Sequence, residues 1–116
     1  MDNEITINQL PPSYQHSYGR RKEGGVYLKS EAKAFRNEVG WLFKKYFKKP
    51  LKGEFGVEIF FEFSDNRRRD LDNLLKHILD GGTGVVWEDD KQITEIHIFK
   101  NKGRKPKTTI CVWKIE

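Results

Sequence analysis

Over residues 54–64 the side chains alternate without a break: Phe55, Val57, Ile59, Phe61 and Phe63 on one side, Gly56, Glu58, Phe60, Glu62 and Ser64 on the other. A period of two sustained this long belongs to a strand with one face in a core. The rest of the chain must pair with that strand and cover its apolar face. A chain of 116 residues has room for one domain, 1–116. Hydrophobic residues make up only 36%, but eight Phe, four Tyr and three Trp supply volume for a core. No run approaches the ~18 apolar residues of a membrane span. The opening MDNEITINQL also lacks the basic and apolar regions of a signal peptide. The single cysteine, Cys111, excludes an internal disulfide and a Cys-rich zinc site, and it alternates with core positions, as a buried side chain would. A cytoplasmic protein with no membrane association is expected.

Further elements follow from periodicity and punctuation. Residues 4–8 form a short strand with Ile5 and Ile7 on one face, stopped by Pro11-Pro12. Residues 11–28 are expected as a loop. Ala32, Phe35, Val39, Leu42, Phe43 and Tyr46 recur at three- and four-residue steps, which predicts a helix over 30–48 with Ser30 as N-cap and Pro50 beyond its end. A second helix is expected at about 71–80, with Leu71, Leu74, Leu75 and Ile78 inward and Gly81-Gly82 past its end. Strands at 92–100 and 107–115 flank the NKGRKP turn. The order β-α-β-α-β-β predicts an α/β (α+β mixed) fold: one small domain, a mixed sheet with two helices packed on it.

Charge is distributed unevenly. The net charge is +5, yet residues 70–90 alone carry six acids and one lysine, so the remainder is +10. Lys33, Arg36, Lys44 and Lys48 lie on a stripe of the first helix away from its apolar face. Lys44/Lys48 and Lys45/Lys49 are like-charge pairs one turn apart, each unfavourable by ~0.2–0.5 kcal/mol. Two readings stand, a solvated helix face and a phosphate-facing surface. An acidic island in a basic body is more informative, because carboxylates repel a polyanion unless a divalent cation lies between them.

Within the island, Asp70 and Asp72 flank the start of the second helix and Glu88-Asp89-Asp90 lies past its end. Two residues apart on a helix are about 200° apart, so both aspartates reach one point only if Asp70 is the extended N-cap. A strand entering after 90 would carry a third carboxylate beside them. Mg²⁺ and Mn²⁺ favour such hard oxygen donors. Each acid also has an ordinary reading: Asp70 as a cap, Asp72 as an i,i+4 partner of Lys76, and residues 88–90 as an exposed acidic turn. Their conjunction favours a metal-bearing site. His16, His77 and His97 have no metal-ligand spacing and read as ordinary side chains, His77 exposed or partly packed.

The stretch Arg69-Asp70-Leu71-Asp72-Asn73-Leu74-Leu75-Lys76, then Leu79-Asp80, then Gly84-Val85-Val86-Trp87-Glu88-Asp89-Asp90-Lys91-Gln92-Ile93, resembles the double signature of the RusA-type Holliday-junction resolvases. Leu10-Pro11-Pro12-Ser13 and Tyr27-Leu28 resemble that family's N-terminal loop. The resemblance implies a homodimeric, bacterial or phage-encoded endodeoxyribonuclease that is Mg²⁺-dependent, with Mn²⁺ able to substitute, and cuts two opposed strands of a four-way DNA junction. By position it makes Asp70, Asp72 and Asp90 the metal-binding acids, Lys76 the residue assisting at the phosphate, and Asn73 an orienter of the aspartates. Arg67, Arg68, Arg69, Lys44, Lys45 and Lys48 would hold the DNA backbone, giving affinity without sequence readout. Two rival readings are a non-catalytic basic nucleic-acid-binding module, with the acids as caps or a Ca²⁺ site, and a metal nuclease for forks or flaps. No protein partner beyond a second copy is inferable.

Overall fold

The computed structural model describes residues 3–66 and 69–116. The alternating segment is β4 (Glu54–Phe63), and all five of its odd-numbered aromatic and aliphatic side chains are buried. It is a central strand of a four-stranded sheet. On one side it pairs antiparallel with β6 (Lys107–Ile115), which in turn pairs with β1 (Asn3–Ile7). On the other side it pairs parallel with β5 (Ile93–Lys102). A parallel pair requires a crossover, and α2 (Leu71–Gly82) provides it. The mixed sheet with two helices is as expected.

Both helices cover one face of the sheet. Phe35, Val39 and Phe43 of α1 (Ser30–Phe43) and Leu74 and Ile78 of α2 share one core with Ile5, Ile7, Val57, Ile59, Ile110 and Val112. Cys111 is buried, as its alternation suggested. The opposite face carries the half-exposed pair Phe60–Phe99, stacked at 4.9 Å, and Trp113 against His97.

The structure departs from the expected elements in four places. Residues 11–28 are not a plain loop: a 3₁₀ turn at Tyr14–His16 leads into a small hairpin of β2 (Tyr18–Arg20) and β3 (Val26–Leu28). Helix α1 ends at Phe43 rather than 48, yet Phe47 stays buried between the rings of Phe43 and Phe55. Ser30 is its first helical residue and Lys29 the N-cap. Gly81 and Gly82 lie inside the last turn of α2, both buried. A Cβ on Gly81 would stand 2.8 Å from Val39 Cβ and 2.9 Å from the Arg36 carbonyl oxygen, so the missing side chain lets the helices touch. The turn beyond the helix uses Gly84, whose φ of 87° favours glycine.

Candidate active site

Helix α2 carries one stripe into the core and another toward a neighbouring turn. Leu74, His77, Ile78, Gly81 and Gly82 are its buried residues. Asp72, Lys76 and Asp80 recur every four residues and share another face. Lys76 Nζ donates to Asp90 Oδ2 at 3.0 Å and meets Asp80 Oδ1 at 3.1 Å. Hydrogen bonds to Asp90 first and Asp80 second raise the lysine's pKa above its ordinary value. Lys76 is therefore a fixed cation and not a proton acceptor at neutral pH. It turns to these acids instead of the Asp72 partner expected from sequence.

Asp90 is delivered by a short, strongly held turn. The Asp89 side chain accepts from the Lys91 backbone N–H at 2.9 Å. Gln92 Oε1 accepts from the backbone N–H groups of Glu88 (2.8 Å) and Asp89 (3.1 Å). Its Nε2 donates to the carbonyls of Leu51 and Gly53, both at 2.9 Å. The Asp-Asp-x-Gln segment is thus a capped turn tied to the entry of β4, with Asp90 as its outward product.

A second network continues from Asp80. Its Oδ2 lies 3.0 Å from Arg36 NH2 of α1. Arg36 Nε donates to His77 Nδ1 at 2.9 Å, and His77 Nε2 lies 2.7 Å from Ser17 Oγ. Because a guanidinium only donates, Nδ1 must accept, so the proton sits on Nε2 and points to Ser17. Ser17 Oγ then donates to the Ser13 carbonyl at 2.6 Å. His77 is fully buried, and burial, followed by the Arg36 charge, lowers its pKa. The expectation of an exposed or partly packed His77 is corrected: i,i+3,i+4 spacing with Leu74 and Ile78 puts it in the buried stripe. Arg36, expected on the outer basic stripe, belongs to the same network.

Asp70 is the N-cap of α2, with extended backbone (φ −80°, ψ 128°), and its side chain makes no capping bond. It lines a cleft of about 550 Å³ between the helix start and the N-terminal loop, with Pro11, Ser13, Gln15, Arg69 and Asn73. Asn73, expected as an orienter of the aspartates, ties the two walls of that cleft together. Its Nδ2 donates to Ser13 Oγ at 2.7 Å, and its Oδ1 accepts from the Gln15 backbone at 2.8 Å. The Pro-Pro-Ser loop is thereby pinned to the helix.

Asp90 and Lys76 are brought together, Asp72 shares the face of Lys76, and Asp70 stands at the helix end. Among the described residues no three His, Cys, Asp or Glu side chains converge on one point at metal-ligating distance. The donor chemistry nevertheless fits a hard divalent cation. Asp70 and Asp72 are exposed carboxylates, and Asp90 already binds one cation, the Lys76 ammonium. Of the expected backbone contacts, Lys44, Lys45 and Lys48 are exposed. Arg67 and Arg68 lie outside the described residues. Arg69 is engaged elsewhere, bidentate on Asp65 at 2.8 and 3.0 Å and 4.8 Å above the Phe63 ring.

The sequence profile of Endodeoxyribonuclease RusA matches residues 9–113, spanning both the pinned loop and the Lys76–Asp90 site. The chain belongs to the RusA endodeoxyribonuclease family. It is 32% identical over 109 residues to the crossover junction endodeoxyribonuclease RusA of Escherichia coli K12, covering 86% of this chain and 87% of that protein. It is 30% identical over 93 residues to the enzyme of that name from Enterobacteria phage HK97, covering 78% and 76%. Membership of this nuclease family implies a divalent-metal requirement. Among the described residues, no helix is long and apolar enough to cross a membrane.

What sequence reasoning missed is the network that Asp80, Arg36 and His77 form behind Lys76. Asp80 was visible as an i+4 partner of Lys76, and His77 as a member of the buried stripe. Only the fold joins them to Arg36, 41 residues from His77.

Proposed function

We propose that residues 1–116 form one metal-dependent endonuclease domain that resolves four-way DNA junctions by paired cuts. In this reading Mg²⁺ is the working ion, Mn²⁺ substitutes for it, and the protein acts as a homodimer in the cytoplasm of a bacterium or a phage-infected cell. The observation that carries this reading is the 3.0 Å contact between Lys76 and Asp90, which joins the two motif segments across a β-α-β crossover. The names of its relatives, crossover junction endodeoxyribonucleases, support the substrate.

Asp70, Asp72 and Asp90 would hold the ion. When bound, a divalent cation acidifies an attacking water and neutralises charge on the phosphoryl oxygens. Lys76 places a permanent positive charge on the same helix face, where the transition state gathers negative charge. Asp80 and Arg36 fix that lysine laterally. Gln92 fixes Asp90 through four hydrogen bonds to backbone. Lys44, Lys45 and Lys48 supply phosphate affinity without reading bases.

The dimer follows from symmetry. A four-way junction is two-fold symmetric and needs two opposed cuts, whereas one chain has one acidic island and no internal repeat. A C₂ dimer supplies two sites related by the substrate's own axis. The test is incubation of a labelled immobile junction, a fork and a linear duplex with Mg²⁺. Paired symmetric cuts confined to the junction are expected. Asp72→Asn should abolish cutting yet bind the junction at least as tightly, and dimers with one such subunit should leave single nicks. Equal cutting of the fork, or resolution at the wild-type rate by mixed dimers, would overturn the reading.

A further inference from the structure

Trp41 is 72% exposed, the most exposed large hydrophobic side chain among the described residues. The other two tryptophans are placed otherwise: Trp87 is buried against Phe55, and Trp113 lies against His97. Trp41 stands on the outer face of α1 with Asn37 one turn before it and Lys44 nearly one turn after. These residues and Lys33 rim a groove of about 490 Å³ between the two helices. Gly40 and Gly81 form part of its wall, so the helices meet there through backbone. The acid in the groove, Asp80, is already paired with Arg36 and Lys76.

We infer that this groove takes an unpaired nucleotide of branched DNA, its base stacked on the Trp41 indole and its neighbouring phosphates on Lys33 and Lys44. The inference deepens the proposed function and rests on it for the branched substrate. An indole left in water is unfavourable for folding, but it offers a face on which any base stacks. Lysines to either side supply the backbone charge. The volume lies within the range of about 300–1,000 Å³ typical of small-molecule pockets, which suits one nucleotide and is too small for a duplex. Bases inside a duplex present only their edges, so a stacking platform selects DNA that is already unstacked, as at a branch point. A second copy of this chain fits the groove poorly. A two-fold contact centred on Trp41 would set the Lys33 and Lys44 side chains of both copies against one another.

The experiment uses the full chain in EDTA, so that cutting plays no part, with a short oligothymidylate followed by tryptophan fluorescence and by anisotropy of a labelled strand. Wild type should show quenching on binding. Trp41→Ala should bind about tenfold or more weakly, with an unchanged slope of log K against log salt. Trp41→Phe, which keeps a ring, should bind within a few-fold of wild type and lose the quenching. Sedimentation of Trp41→Ala should match wild type. Wild-type affinity in Trp41→Ala, or loss of self-association in that variant, would overturn the inference. Unchanged Trp41→Ala affinity beside normal junction cutting removes the stacking site alone. A wild-type protein that fails to cut junctions removes the proposed function, and the oligothymidylate result still decides the groove.

Discussion

Asp80→Asn is the substitution that most directly probes the network behind Lys76. It keeps the side-chain volume but removes the negative charge between two cations, 3.0 Å from Arg36 and 3.1 Å from Lys76. A hydrogen bond to a charged group is worth about 1.5–3 kcal/mol when shielded and under about 1 kcal/mol when solvated. Arg36 and Asp80 are only 21% and 22% exposed, whereas Lys76 is 41% exposed, so the Arg36 arm dominates. Asn retains one acceptor, and a loss of about 2 kcal/mol is expected. Unfolding entropy of roughly 2.1 cal/mol/K per residue over a domain this size converts that to a Tm drop of about 8 °C, read by circular dichroism. Junction cutting should also slow, by about tenfold, because Lys76 loses one of its two anchors. The decisive comparison is with Lys76→Ala. If Asp80 acts on the reaction through Lys76, adding Asp80→Asn to Lys76→Ala lowers Tm further but leaves the residual rate unchanged. A Tm within about 2 °C of wild type, or rate effects that simply add, would refute this account.

Three further outcomes are expected. Replacing Lys44, Lys45 and Lys48 with Ala should weaken junction binding and flatten the log K–log salt slope by up to ~0.9 per lost contact; an unchanged slope would make that surface merely solvated. Gly81→Ala sets a helix-propensity gain of about 1 kcal/mol against overpacking of about 1–3 kcal/mol at Val39 and Arg36, so urea denaturation should show net destabilisation. His77 has a folded pKa below its ordinary 6.5, so the unfolded chain binds the extra proton; its contribution to stability is complete above about pH 6.5 and falls away as the pH drops, and His77→Gln should flatten that acid limb of the stability profile.

The parts of the fold legible from sequence are those in which side-chain period and backbone geometry coincide. β4 alternates, is buried on its odd-numbered side, and lies where the pattern puts it. Periodicity extends the first helix past its end at Phe43 because Phe43 and Phe47 keep helical spacing after the backbone has left the helix; both rings still reach the core. The hairpin at 18–28 is too short for a period to register. In α2 the glycine rule and the packing rule conflict, and packing wins, since Gly81 is needed where α1 crosses. The lack of a metal-ligand spacing argues against His77 as a ligand but says nothing of its burial, and its position in the stripe is that of a core residue. Its polarity is satisfied by two partners that are remote in sequence, Ser17 and Arg36.

The arrangement of the acids follows from topology more than from spacing. Because β4 and β5 run parallel, α2 must return along the sheet between them, and its twelve residues span about 18 Å. Asp70 sits where the chain enters the helix. Asp90 sits at the entry of β5, beside the later part of the helix, where it meets Lys76 and Asp80. The sequence places Asp70 and Asp72 at the helix start, with the strand after residue 90 expected to bring a third carboxylate back beside them. The crossover brings Asp90 against Lys76 and Asp80, and Lys76 lies between Asp72 and Asp80 along one helix face. A cation fixed at that place holds the second motif against the first, and it presents positive charge on the face that a phosphate must approach. The lysine is therefore a structural joint and an electrostatic contributor at once. Removing its charge should cost both stability and rate, whereas removing the charge of Asp72, which is exposed on the same face, should cost rate alone.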